Sequence, residues 1–511
     1  MLIQRIRCQN GGFLPQFQFS ISTVLGLIQL FRLTSSIHIS CGRGFLPCRT
    51  AVDSYDSGGG ASMVNDASPL DTADFSRVAP PLYASARLHG LRTVHVHNAS
   101  LGANFARSIP ITNQTLRDAV VESEREAQVI YSENGAKPME IRHPLAMAVA
   151  QFTRIHRVSL KAKFLSESAH ISEILTRRLK QFDVLSLDDV ELDVLDRQIL
   201  NSTTVGRKCP RDTAVICAST RYRSLSGHCN NVQFPLFGMA MEPMQRLSHN
   251  AYYDGISIPR RSRDGSELPN VRQLSLELFY NPIEEHHTVS EMLPFWFYFI
   301  AGDIANVAPN QCIIKGEFIA MPCCADGFAH ADCDSIDVAS TDALYSRQRV
   351  TCIPHARTLS APRDNCRLGA REQANIVSSY LDASVIYGSS VEELAQLRVA
   401  NSPRLTTSSH AGVANLLPTD PKSSDYCQGD HPKKRCFLSG SGDVNILPQV
   451  MALHTIWARQ HNRLADGLQE LNRHWDIETV FEEARRIVIA QLQHITFDEF
   501  LPILIGHDYM Q

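Results

Sequence analysis

Adjacent imidazoles, closely spaced cysteines and paired oxygen donors are the reactive or ligating groups of this 511-residue chain. His286 and His287 stand side by side in EEHHTVSE, where two imidazoles can share a metal ion. No third ligand follows at useful spacing, so a solvated turn accounts for the pair better than a metal site. Fourteen cysteines, together with N-x-S/T sequons at Asn98, Asn113 and Asn201, fit a secreted, disulfide-bonded glycoprotein. Buried free thiols are the alternative. Spacings such as Cys217 to Cys229 and Cys427 to Cys436 suit small closed loops.

The elements that would position such groups are helical. From Leu293 to Pro309, Leu293, Trp296, Phe299 and Ile300 recur at three-and-four spacing with Asp303 on the following turn, which predicts a buried helical face. Val450, Leu453, Trp457, Leu464 and Leu468 stripe a helix over 450–468, and Asp476 caps another that runs to about 493. Val158, Phe164, Ile171, Ile174, Leu175 and Leu179 place amphipathic helices in 149–205. The fold class expected is mainly α, with short loops and little sheet. Ahead of this lie a signal-like or leader segment (1–40), whose apolar run Thr23–Phe31 follows Arg5 and Arg7, and a low-complexity leader or propeptide (41–148) with little structure. A net charge of −4 without a basic run argues against nucleic acid, and no other segment approaches membrane-spanning length.

Several of these stretches carry motifs. RYRSLSGHCNN contains Tyr222, Arg223, Gly227, Cys229, Asn230 and Asn231; LPFWFYFIAGDIANVAP is followed by REQANIVSSYLDASVIYGSS; CFLSGSGDVNILPQVMALHTIWARQHNRLADGL precedes ITFDEFLPILIG. Together they resemble the animal haem peroxidases, of the peroxidasin and myeloperoxidase kind, over residues 206–511. The resemblance implies a disulfide-stapled helical domain, haem b, H2O2-dependent oxidation of small donors and a response to oxidative stress. It also implies disulfides Cys217–Cys229 and Cys427–Cys436, and structural roles for His454, His461 and His494.

Residue by residue, the resemblance puts Tyr298 where the family has its distal Gln, Gly302 at its distal His and Asp443 at its distal Arg. The two haem-linking carboxylates correspond to Ala301 and Ile446. A slip of one or two residues between Ser439 and Gly442 changes little, because no Arg lies between Cys436 and His454. The family's calcium set corresponds to Asp303, Ser378, the Tyr380 carbonyl, Asp382 and Ser384, all oxygen donors with two carboxylates to balance the ion. The family's proximal His falls beyond the last residue of this chain. Three readings follow: a secreted, calcium-stabilised pseudo-peroxidase with little or no turnover; an active peroxidase whose proximal segment lies further on; or a non-functional truncated product. A peroxide and a small donor are partners only in the second.

Overall fold

The computed structural model describes residues 113–130, 136–140, 142–156, 158–181, 217, 221–279, 289–363, 367–410, 412–420, 436–506 and 508. In chain order the elements are α1 (Asn113–Ile130), α2 (Ala146–Ile155), α3 (Leu160–Gln181), α4 (Val271–Leu278), α5 (Met292–Ile304), β1 (Gln311–Ile314) and β2 (Glu317–Ala320). They continue with β3 (Ile336–Asp337), β4 (Cys352–Ile353), β5 (Ser360–Ala361), β6 (Glu372–Gln373), α6 (Ser384–Tyr387), α7 (Val391–Leu397), β7 (Ser408–His410) and β8 (Val413–Leu416). Last come α8 (Pro448–Leu471), α9 (Ile477–His494), a π-helical turn (Ile495–Phe500) and α10 (Leu501–Ile505). The strands pair only as two-stranded antiparallel ribbons, β1 with β2, β3 with β4, β5 with β6 and β7 with β8. The fold is mainly α.

The largest core forms where α5, α6, α8 and α9 meet. Phe299 and Ile300 of α5 pack with Val385, Ile386 and Tyr387 of α6, Leu453 and Trp457 of α8, and Phe481, Val488 and Leu492 of α9. The apolar stripes seen in the sequence are the residues that bury here. Pro448 opens α8 at a position where a missing N–H costs nothing. The Asp476 side chain accepts the Thr479 amide at 2.7 Å to cap α9.

The expectation of little structure up to residue 148 fails over 113–130. Helix α1 buries Leu116, Val120 and Ala127 against Ile171, Ile174, Leu175 and Leu179 of α3. Its apolar residues follow a helical period that the surrounding Ser-, Asn- and His-rich sequence masks. Asn113 is the first residue of this helix; Asn98, Asn201 and the leader segment lie outside the described residues.

Helix α3 is also tied to the rest of the protein by buried charge. The Arg371 guanidinium, 1% exposed, donates to Asp332 Oδ1 at 2.7 Å, and Glu173 Oε2 of α3 lies 3.7 Å from it. Asn310 donates to the other Asp332 oxygen at 2.9 Å. Burial alone would raise the Asp332 carboxyl, but the charges of Arg371 and His170 and the hydrogen bonds from Arg371 and Asn310 together hold it down at about 2.

Three disulfides join described cysteines: Cys217–Cys229, Cys323–Cys333 and Cys324–Cys352. They staple loops that have little apolar core of their own. Cys436 is also disulfide-bonded, while Cys427 lies outside the described residues. Among the described residues no helix is long and apolar enough to cross a membrane.

Candidate functional site

Successive residues of an α-helix point about 100° apart, so Gly302 and Asp303, neighbours on α5, face different surroundings. Gly302 faces the one-turn 3₁₀ helix Gly442–Asn445, and a Cβ placed on it would stand 2.6 Å from Asp443 Oδ2. The carboxylate occupies space that any larger side chain at 302 would need. Asp443 is held there by its segment. Ser441 Oγ accepts its amide at 3.3 Å, and the Asn445 side chain pairs with both the amide and the carbonyl of Phe437 at 2.8 Å. The Ser441 amide donates to the Val385 carbonyl at 3.0 Å, which fastens the segment to α6.

Tyr298, one turn before Gly302, shares this environment. Burial first, and then the nearby Asp443 charge, push its phenol well above the ordinary value. Tyr298, Gly302 and Asp443 are thus brought together, as a neutral phenol, a missing side chain and a carboxylate. Ala301 is buried and Ile446 half-buried, and neither carries an atom that can link to a cofactor. Peroxide chemistry on a haem calls for a distal base and a cation over the separating charge. These residues supply no imidazole and no cation, and a carboxylate opposes that charge. The distal positions do not fit haem chemistry.

Crowding at Gly302 has a measurable consequence. Ala in a helix interior is favoured over Gly by roughly 1 kcal/mol, yet Gly302→Ala is expected to lose stability because the new methyl meets Asp443. In an Asp443→Ala background the same change should gain about 1 kcal/mol. Urea denaturation of the four proteins checks this, and strictly additive effects would show that Asp443 does not crowd the helix.

Asp303 faces the opposite way, toward the loop that precedes α6. Its Oδ2 accepts the amides of Asp382 and Ala383 at 3.1 Å, and its Oδ1 accepts Ser384 Oγ at 3.0 Å and the Val385 amide at 3.2 Å. Ala383 adopts a left-handed conformation, φ +61°, that turns these successive amides toward one point. Ser378 Oγ donates to Asp382 Oδ2 at 2.7 Å, and the Tyr380 carbonyl accepts the Asp382 amide at 2.9 Å. Asp303, Ser378, Asp382 and Ser384 are all buried. Burial, and then the adjacent Asp382 charge, push the Asp303 carboxyl up to about 8. Burial raises Asp382 to about 6, against the Ser378 hydrogen bond and the positive charges of Arg485 and Arg223.

Two carboxylates buried this closely hold on to protons, even with Arg485 and Arg223 acting against this at Asp382. The donors gathered are carboxylate, hydroxyl and carbonyl oxygens, which suits a hard divalent cation. Among the described residues no three His, Cys, Asp or Glu side chains gather as a metal cluster, so the hydroxyls and the carbonyl would have to complete such a shell.

The helix histidines are engaged in packing. His461 Nε2 donates to the Pro403 carbonyl at 3.0 Å, which leaves Nδ1 to accept the Tyr387 hydroxyl at 2.9 Å. Burial lowers His461 to about 4 and keeps it neutral. His454, fully buried, hydrogen-bonds Ser439 Oγ at 2.9 Å. Exposed His494 pairs with Asp498. His286 and His287 lie outside the described residues. Sequence reading missed the buried Arg371–Asp332–Glu173 group; the one signal available was an Arg opening the REQANIVSSY stretch.

Residues 222–511 match the profile of the family described as animal haem peroxidase. The chain is 35% identical over 320 residues to a Drosophila melanogaster protein named peroxidase, covering 60% of this chain and 45% of that one. It is 36% identical over 309 residues to chorion peroxidase of the same fly (58% and 38%), and 30% identical over 330 residues to mouse myeloperoxidase (61% and 46%). The chain spans less than half the length of each of these relatives. Among solved structures, peroxidase A from Dictyostelium discoideum aligns with a TM-score of 0.44 at 25% identity, over 56% of this chain and 53% of that one.

Proposed function

The chain belongs to the animal haem peroxidase family, and on that premise we propose that it is a pseudo-peroxidase: a secreted, calcium-stabilised member with little or no peroxide turnover. The observation that carries this reading is the Asp443 carboxylate lodged 2.6 Å from the Cβ position of Gly302. A carboxylate there disfavours both an imidazole at 302 and the charge separation of O–O cleavage. Haem, when bound to a member of the family, supplies the oxidising chemistry. At the distal positions of this chain there is neither an imidazole to move a proton of peroxide nor a cation to stabilise the separating charge.

Calcium would be held by the carboxylates of Asp303 and Asp382, the hydroxyls of Ser378 and Ser384 and the carbonyl of Tyr380. The raised proton affinity of the two carboxyls supports this assignment, because a cation bound between them would relieve their mutual repulsion. Secretion is supported by the three disulfides among the described residues, a pattern of oxidising compartments. In this reading the protein acts through binding rather than turnover.

The second reading is an active peroxidase, favoured by family membership itself. Adding haemin to the purified protein separates the two. The pseudo-peroxidase reading expects no Soret band beyond that of free haemin and no peroxide-dependent guaiacol oxidation above a free-haemin control. Oxidation well above that control would overturn it and establish the active reading.

A further inference from the structure

The Tyr222–Arg223 motif and helix α9 are about 260 residues apart in sequence, and between them lies a cavity of about 230 Å³. Four guanidinium groups line it, from Arg221, Arg223, Arg485 and Arg486. Their charge is only partly matched. Arg221 and Arg486 share Glu483, at 2.6 and 3.7 Å, and Arg485 pairs with Glu482 at 3.0 Å. Arg223 lies over the Tyr380 ring, 5.7 Å from its centroid, and makes no ion pair among the described residues.

Arg485 is the informative member. It is 2% exposed, and its Nη1 donates to the Arg223 carbonyl at 2.9 Å, yet its Nε has no hydrogen-bond partner. A buried guanidinium N–H left unsatisfied is costly, and an oxygen ligand in the cavity would relieve it. Ile489 and Ala490 add apolar surface to the lining.

We infer that this cavity binds a tetrahedral oxyanion ester, a sulfate or phosphate group carried on a larger molecule. Guanidinium forks match the oxygens of such groups, and the excess of arginine over glutamate supplies the attraction. The volume exceeds what one bare ion fills, and Ile489 and Ala490 offer a surface for the remainder of the molecule. Glu482, in the same wall, works against the anion and limits affinity.

Titration calorimetry on the full chain tests this with sodium sulfate, sodium phosphate, glucose 6-sulfate and glucose 6-phosphate, at constant ionic strength against chloride. At least one ester should bind more tightly than its inorganic ion, and which ester does so identifies the group. Arg223→Gln with Arg486→Gln should weaken binding about tenfold or more, since two charged donors are removed. Glu482→Gln should tighten binding, which keeps the test decisive if the double variant folds poorly. The exposed Arg473→Gln, away from the cavity, should leave it unchanged. Absence of binding beyond the chloride control, or an affinity that Glu482→Gln does not raise, would overturn the proposal.

Discussion

Chelating calcium is expected to lower the melting temperature far more at pH 8 than at pH 5. The Asp303 and Asp382 carboxyls titrate at about 8 and about 6 in the folded protein, above the ordinary carboxylate value near 4. The folded chain therefore keeps protons that the unfolded chain has released. In the cation-free protein this contribution to stability is fully present below about pH 4 and is lost as pH rises through 6 and then 8. At about 1.4 kcal/mol for each tenfold change in proton affinity, the two carboxyls together make a difference of several kcal/mol. Calcium bound at the pair would remove the penalty by replacing the protons, and would add mass-action stabilisation of the native form. Melting curves with and without EDTA at the two pH values measure it. An equal drop at both, or none at either, would show that the cation does not sit on this pair.

Removing one side of the buried ion pair should be the most destabilising single change outside the apolar core. Asp332→Ala leaves the charge of the Arg371 guanidinium, 1% exposed, with the Glu173 carboxylate at 3.7 Å and the Thr358 carbonyl, and a cost of about 3–5 kcal/mol is expected. The exposed pair Arg398–Glu478, similar in distance at 2.7 Å, should lose no more than about 1 kcal/mol on Glu478→Ala. Combining Asp332→Ala with Arg371→Met should recover much of the larger loss, since no lone charge then remains buried. Urea midpoints decide it; a cost for Asp332→Ala as small as that of the exposed pair would mean that the guanidinium is hydrated or satisfied by Glu173 alone. Because Glu173 belongs to α3, the same experiment reports on how firmly the helices preceding residue 222 are joined to the rest.

Much of the frame was legible because its helices obey one rule throughout. Phe299, Trp457 and Phe481 each sit on a stripe of helical period, and each is buried in the central core. The observed bounds of α5, α8 and α9 lie within a few residues of those read from the stripes, where capping by Asp476 and Pro448 marks the starts. Helix α1 was not legible, because Leu116, Val120 and Ala127 are isolated apolar residues in a polar stretch and acquire meaning only against α3. The closeness of Gly302 to Asp443 was equally out of reach. Alignment assigned each position a lost role, but contact between residues about 140 apart depends on how α5 and the 3₁₀ turn pack. The arginine cavity was missed for the same reason. Arg223 read as part of a motif and Arg485 as part of a helix, and neither has a local partner in sequence that hints at the other.

The division of α5 into a Gly302 side and an Asp303 side bears on how such a protein can evolve. On the Gly302 side, substitutions change what stands beside the helix without touching the hydrogen bonds that hold it in place. The other side anchors the helix to the 378–385 loop through five hydrogen bonds to the atoms of a single residue, Asp303.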